Sequence, residues 1–199
     1  MTGNGASPEE RRMTQKRNVA VIIGSLRKGS YSRMVAKALC GAAPEGLDCA
    51  FVEIGALPLY NQDREDAGAP PEWKSFREAL RRADAVLFVT PEYNRSVPGA
   101  LKNAIDVGSR PYGHSAWAKK PAAVVSVSPG ALAAFGANHH LRQSFVFLDM
   151  PAMQQPEAYI GGVARLFDEQ GNLTSTETGE FLRKFMQAFA AWIEATVPR

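Results

Sequence analysis

The chain has 199 residues, 45% of them apolar and 22% charged, with a formal net charge of +3. That length suits one globular domain able to bury roughly 70% of its unfolded surface. No apolar run approaches the ~18 residues of a membrane span and no apolar secretory core leads the chain, and the charge is too small and dispersed for the basic face of a nucleic-acid binder.

Residues 1–17, rich in Gly, Ser, Pro and charge, read as a disordered tail, which leaves 18–199 as the single domain. Residues 19–23 are a short, β-branched apolar run, the composition of a strand buried on both faces of a parallel sheet. A Gly/Ser loop follows and leads into a helix from Tyr31, where Met34, Val35, Ala38 and Leu39 recur at helical spacing. Residues 49–54 are the second strand candidate, followed by a long loop through Pro71 that begins Leu57-Pro58-Leu59-Tyr60. Loops of that length in compact domains are binding loops, lids or disordered segments. A helix over 72–82 shares Trp73, Phe76, Ala79 and Leu80 on one face, and 85–89 is a third continuous apolar strand.

The turn Thr90-Pro91-Glu92-Tyr93-Asn94-Arg95-Ser96 stands at the end of that third strand, and Pro98 reads as lying just inside the next helix. A fourth strand over 122–127 closes in Ser128-Pro129-Gly130, and a helix is predicted over about 132–147. A short fifth strand is expected near 152–155 or just after Pro156. The last helix carries the stripe Phe181, Leu182, Phe185, Phe189, Trp192 and Ile193, with Thr174 and Glu177 spaced as a capping box. Strand and helix alternate five times, so the fold class is α/β: a five-stranded parallel sheet with helices on both faces and right-handed crossovers.

Cys40 and Cys49 make neither a disulfide framework nor a metal spacing, so a reducing cytoplasm is the default. The three histidines, His114, His139 and His140, offer no joint metal site, because neighbouring helix positions point about 100° apart.

Open α/β sheets take ligands outside the carboxyl ends of their strands, and three polar turns stand at such ends: 24–32, 90–96 and 128–130. In the first, a helix start supplies unpartnered amides and the positive end of a dipole. Ser25, Ser30 and Ser32 add hydroxyls, and Arg27 adds a charged fork suited to phosphate oxygens. Gly24 and Gly29 have phosphate-loop spacing, but Ser30 stands where that motif needs lysine, and Gly24-Ser25-Leu26 breaks the dinucleotide pattern. A terminal monophosphate fits better than a pyrophosphate or a magnesium-bound triphosphate. A serine at a helix start is also ordinary capping, the competing reading. In the second turn Tyr93 offers a ring to cover a flat heterocycle, while Asn94 and backbone amides can bond its polar edge. Glu92 reads either as a proton-transfer group or as the partner of a helix dipole. No nucleophile elbow, Ser-His-Asp order or Cys-His pairing is visible, so no catalytic residue is assigned and any redox chemistry must come from a cofactor.

Gly-Ser-Leu-Arg-Lys-Gly-Ser-Tyr-Ser at 24–32 and Pro-Glu-Tyr-Asn at 91–94, continued by Ser-Val-Pro-Gly-Ala-Leu-Lys-Asn-Ala-Ile-Asp, resemble the NADPH-dependent FMN reductase family. Within it the chain is similar to bacterial quinone reductases, also known as chromate reductases, over about 18–195. The resemblance implies a flavodoxin-like fold with strand order 2-1-3-4-5 and tightly bound FMN. It assigns the flavin phosphate to Ser25, Arg27, Ser30, Tyr31 and Ser32, the ring to Pro91, Glu92, Tyr93 and Asn94, and the closing turn to Ser128 and Gly130. The family often has Phe-Asn where Tyr31-Ser32 stand, and a glycine pair in place of Ala133-Ala134, which would narrow the space above the ring. The implied activity is hydride transfer from NADPH or NADH to FMN and onward to a quinone, with chromate, azo and nitro compounds as further acceptors. A flavodoxin-type electron carrier and a non-catalytic flavin-binding module are the alternatives; carriers are usually strongly acidic, and this chain is slightly basic. The family also implies a homodimer or homotetramer, with Tyr60, Asn61 and Asp63 reaching the neighbouring subunit's site.

Overall fold

A computed structural model describes residues 16–197. Apart from Lys16 and Arg17, the expected tail lies outside the described residues, and Arg17 already opens the first strand. The strands are β1 (Arg17–Ile23), β2 (Leu47–Phe51), β3 (Ala85–Thr90), β4 (Ala122–Val127) and β5 (Ala158–Ile160). The α-helices are α1 (Tyr31–Gly41), α2 (Gln62–Asp66), α3 (Pro71–Arg82), α4 (Gly99–Gly108), α5 (Phe135–Leu148) and α6 (Thr176–Thr196). The sheet order is β2-β1-β3-β4-β5 with every pairing parallel, the flavodoxin-like order.

The period of two along β1 divides the core. Val19, Val21 and Ile23 face Val35, Leu39, Leu182, Phe185 and Phe189 of α1 and α6. Ala20 and Ile22 face Trp73, Leu101, Trp117 and Phe145 on the other side, beneath α3, α4 and α5. Strands covered on both faces have no polar side to show, which is why β1, β3 and β4 read as continuous apolar runs. Full burial of each large side chain in these layers contributes about 1.5–3 kcal/mol.

Several boundaries differ from the sequence reading. The ladder of β2 runs from Leu47, paired with Arg17, to Phe51, starting two residues and ending three residues earlier than expected. As an edge strand it leaves Asp48, Ala50 and Phe51 exposed, which blurs its apolar signal. The fifth strand lies after Pro156, and Ala152 makes only an isolated bridge to Ala122. Pro98 is the residue before α4 rather than inside it. The expected capping box is not formed: Ser175 caps α6 by accepting from the Thr178 amide, while the Thr174 hydroxyl donates to the Leu166 carbonyl.

The long loop after β2 is anchored. Asn103, buried on α4, accepts from the Tyr60 amide at 2.8 Å and donates to the carbonyls of Leu57 and Pro58 at 3.2 and 3.1 Å. The Trp73 indole donates to Pro58, and its ring stacks on Tyr60 at 5.3 Å. Asn61 caps α2, whose Glu65 pairs with buried Arg77 while the Arg77 Nε donates to the Val107 carbonyl. These bonds tie the loop and α3 to the middle and last turn of α4, the helix whose first residues wall the site.

Candidate active site

Because β1, β3 and β4 are neighbours, their carboxyl ends bring the turns 24–30, 91–98 and 128–134 to one edge of the sheet. Gly24 makes the first turn possible. Its amide donates to the Val89 carbonyl at 2.9 Å, and a Cβ there would lie 2.6 Å from Thr90 Oγ1 and 3.2 Å from Leu101 Cδ2. No side chain fits between these walls.

The chain then rises to the solvent at Leu26, Arg27, Lys28 and Gly29 and returns at Ser30. Ser25, Ser30 and Ser32 are 6, 4 and 2% exposed, so their hydroxyls lie beneath the loop rather than on it. Ser30 is the N-cap of α1, its oxygen accepting from the Arg33 amide at 3.4 Å. The capping reading is therefore correct for Ser30, but a serine that accepts through a lone pair still has its O–H to donate. Ser25 Oγ likewise accepts from the Arg27 amide, at 3.5 Å. The first turn of α1 carries no acidic residue, so nothing offsets the positive end of its dipole. Arg27 and Lys28 make no ion pair among the described residues, in contrast with Arg33, which is held by Glu53 at 2.8 Å. This donor set suits a phosphate monoester. The Tyr31 ring packs, partly buried, against the core cluster under α1 and α6.

The second turn is a two-residue hairpin. Tyr93 and Ser96 exchange backbone bonds of 2.9 and 3.0 Å around Asn94 and Arg95, whose φ angles are 50° and 63°. Asparagine tolerates that left-handed conformation. Arg95 is strained there, and Glu92 pairs with it at 3.0 Å. The other Glu92 oxygen accepts from the Ala137 amide at 3.2 Å in the first turn of α5, where a Cβ on Gly136 would approach it to 2.9 Å. Glu92 thus serves a helix dipole, at α5 and not at the adjacent α4. Its carboxylate joins the hairpin to α5, as does His140, 3.0 Å from the Ser96 hydroxyl.

In the third turn Ser128 Oγ accepts from the Gly130 amide at 3.1 Å. Ala133 and Ala134 follow with φ of 50° and 58°, so the alanines adopt the conformation that a glycine pair would take without strain. That geometry costs about 1–2 kcal/mol per residue. It is held by Ser126, whose buried hydroxyl donates to the Ala133 carbonyl at 2.8 Å, and Asn138 donates in turn to Ser126 at 3.4 Å. These turns also shift the start of α5 to Phe135, three residues after the expected Leu132. Nearby, burial first and then a hydrogen bond with Glu157 push the Tyr159 phenol up to about 12, so it stays neutral at physiological pH.

A cavity of about 280 Å³ opens between the first two turns, lined by Gly24, Leu26, Arg27, Tyr93, Pro98, Gly99 and Ala100. Arg27 and half-exposed Tyr93 therefore meet at one opening, whereas Pro91 and Asn94, in the same turn as Tyr93, do not line it. A larger hollow of about 480 Å³ between the end of β2 and α3 is lined by Glu53 and Glu72 and by no cation, the wrong sign for an anionic ligand. Sequence reasoning missed Pro98–Ala100 as site walls and Ser126 as support for the third turn. Ser126 had a readable signal, a lone hydroxyl in an otherwise apolar strand.

Residues 17–164 match the NADPH-dependent FMN reductase family. A quinone reductase of Pseudomonas putida is 66% identical over 92% of this chain and 97% of its own. A 2-hydroxy-1,4-benzoquinone reductase of a Burkholderia species is 45% identical over 88% and 95%. Among solved structures, the flavoenzyme NAD(P)H:(acceptor) oxidoreductase FerB of Paracoccus denitrificans superimposes with a TM-score of 0.85 at 42% identity, covering 90% of this chain and 98% of that one. With the sheet order and the three turns already in place, these likenesses decide the assignment: the chain belongs to the NADPH-dependent FMN reductase family.

Proposed function

We propose that the three turns hold one tightly bound FMN, that NADPH or NADH donates a hydride there, and that a quinone leaves with the electron pair. The chain is an NAD(P)H-dependent oxidoreductase of the FMN and quinone reductase type. The observation that carries the detailed reading is the junction of a monophosphate-type donor set with an open, tyrosine-lined cavity. When bound, FMN supplies a ring that accepts a hydride and passes two electrons on.

The chain's own residues bind and orient. The α1 amides, Ser25, Ser30, Ser32 and Arg27 neutralise and bond the phosphate, with Lys28 adding charge. Tyr31 fixes the start of α1 by packing into the core. Pro91, Tyr93 and Asn94 line the ring, held by Glu92 through its α5 bond, and Ser128 and Gly130 close the third side. No side chain is needed as acid or base, and Glu92 is already committed to Arg95 and Ala137. Chromate, azo and nitro compounds are further acceptors on this reading.

The protein works in the cytoplasm as a homodimer or a dimer of dimers. In support, the large apolar side chains Leu59, Val146 and Phe147 are 77, 83 and 74% exposed, and both cysteines are free thiols. Light scattering after size exclusion tests the assembly; a flavin-loaded, active monomer near 21.6 kDa contradicts it. Among the described residues no helix is long and apolar enough to cross a membrane, and no cluster of three metal-ligating side chains occurs.

Anaerobic mixing with NADPH tests the function. Rapid bleaching of the flavin, and recovery of colour on adding a benzoquinone, is the expected result. A flavin that stays oxidised contradicts turnover and leaves an electron carrier or a passive binding module.

A further inference from the structure

A chain of three polar side chains, Arg142 and Asn138 of α5 and Ser126 of β4, leads inward to the third turn. Arg142 Nε donates to Asn138 Oδ1 at 2.9 Å, and Arg142 Nη1 donates to the Met153 carbonyl at 2.8 Å. Asn138 Nδ2 donates to Ser126 Oγ at 3.4 Å and to the Ala158 carbonyl at 3.5 Å. The Ser126 hydroxyl donates to the Ala133 carbonyl at 2.8 Å, with the Ala158 carbonyl farther off at 3.4 Å. Ser126 and Asn138 are both 0% exposed, so water does not compete for these bonds.

The direction of the chain is set from one end. A guanidinium can only donate, so it selects the oxygen of the Asn138 amide and turns the amide nitrogen toward Ser126. Ser126 receives that bond, and its one hydrogen goes forward to the nearer carbonyl, that of Ala133. A cation at the head of such a chain polarises the bonds that follow it. The last bond lands where the backbone needs holding: Ala133 and Ala134 have φ of 50° and 58°, a conformation that costs an L side chain energy.

We propose that Arg142, Asn138 and Ser126 are positioning residues for flavin binding, a relay that holds the third turn in the shape that covers the ring. The relay acts through the turn and rests on the FMN site proposed above, where Ser128 and Gly130 close the third side. Its effect falls on the ring and not on the phosphate, because the phosphate turn follows β1 and the third turn follows β4, with β3 between them. Losing the relay should therefore weaken FMN and riboflavin alike, unlike the loss of Arg27.

The test makes two measurements on the same variants. In the cofactor-free protein, hydrogen exchange across 130–138 should quicken by about five- to tenfold in Ser126→Ala, the worth of one hydrogen bond. Asn138→Asp should do the same, because a carboxylate accepts the Ser126 hydrogen and takes it from Ala133. Arg142→Met, which frees the Asn138 amide to turn over, should act in the same direction. In flavin titrations of these variants, FMN and riboflavin affinities should both fall by about five- to tenfold, with their ratio unchanged. In an Ala133→Gly, Ala134→Gly background, where the left-handed geometry carries no Cβ penalty, the same substitutions should cost less than about twofold. Equal losses in both backgrounds, which a general loss of stability would give, or a loss for FMN alone, would overturn the proposal. Faster exchange with both affinities unchanged would overturn it at the ring, whereas a wild type that binds neither flavin contradicts the FMN site itself.

Discussion

Gly24→Ala should damage the site from beneath without touching a charge. The added Cβ would lie 2.6 Å from Thr90 Oγ1, 3.1 Å from Thr90 Cβ and 3.2 Å from Leu101 Cδ2. Neither neighbour can retreat, because Thr90 and Leu101 are both 0% exposed and the Thr90 hydroxyl donates to the Pro91 carbonyl at 2.8 Å. Overpacking of this kind costs about 1–3 kcal/mol. If the chain relieves it by moving Gly24 away from β3, the 2.9 Å bond to Val89 is lost, at about 1 kcal/mol more. The total of roughly 2–4 kcal/mol corresponds to a fall in Tm of about 5–15 °C for a domain of this size. Urea titration of the cofactor-free protein, followed by circular dichroism, measures it. Thr90→Ala removes the nearest atom, so the double variant should recover at least about 1 kcal/mol relative to additivity. A single variant within about 0.5 kcal/mol of wild type, or a strictly additive cycle, would refute the argument that β1 and β3 leave no room at this turn.

Arg27→Ala should weaken FMN binding by about 1.5–3 kcal/mol, one to two decades, with riboflavin affinity unchanged; equal losses for both ligands in a titration would place Arg27 in folding instead. Arg77→Met strands Glu65, only 11% exposed, and should cost about 3–5 kcal/mol, with hydrogen exchange rising across 57–66. Adding Glu65→Leu should recover most of that loss, which urea titration of both variants checks. Steady-state kinetics with NADPH and a benzoquinone should be ping-pong, because both substrates would stack in turn on the same exposed flavin face. Intersecting double-reciprocal lines would contradict that.

The fold was largely legible because its central strands are buried on both faces and its long helices carry one-sided apolar stripes. The misread elements lack those signals. The edge strand β2 alternates with exposed residues, α2 is a five-residue charged segment without an apolar face, and β5 has only three residues. At the site, the Gly/Ser loop and the Tyr93–Asn94 turn were readable because their composition serves local backbone geometry. Glu92 was half-readable: a carboxylate beside a helix start suggests a dipole partner, but its helix lies 45 residues on in α5. Where the Tyr31 ring points depends on which way α1 turns its faces over the sheet, and no local spacing reports that.

The most direct measurement is a titration of the cofactor-free protein with FMN, riboflavin and FAD in parallel, followed by flavin fluorescence. A site built around one terminal phosphate should bind FMN at least about tenfold more tightly than riboflavin, a difference of roughly 1.4 kcal/mol, and should bind FAD more weakly than FMN. Equal affinities for FMN and riboflavin, or a preference for FAD, would contradict the account.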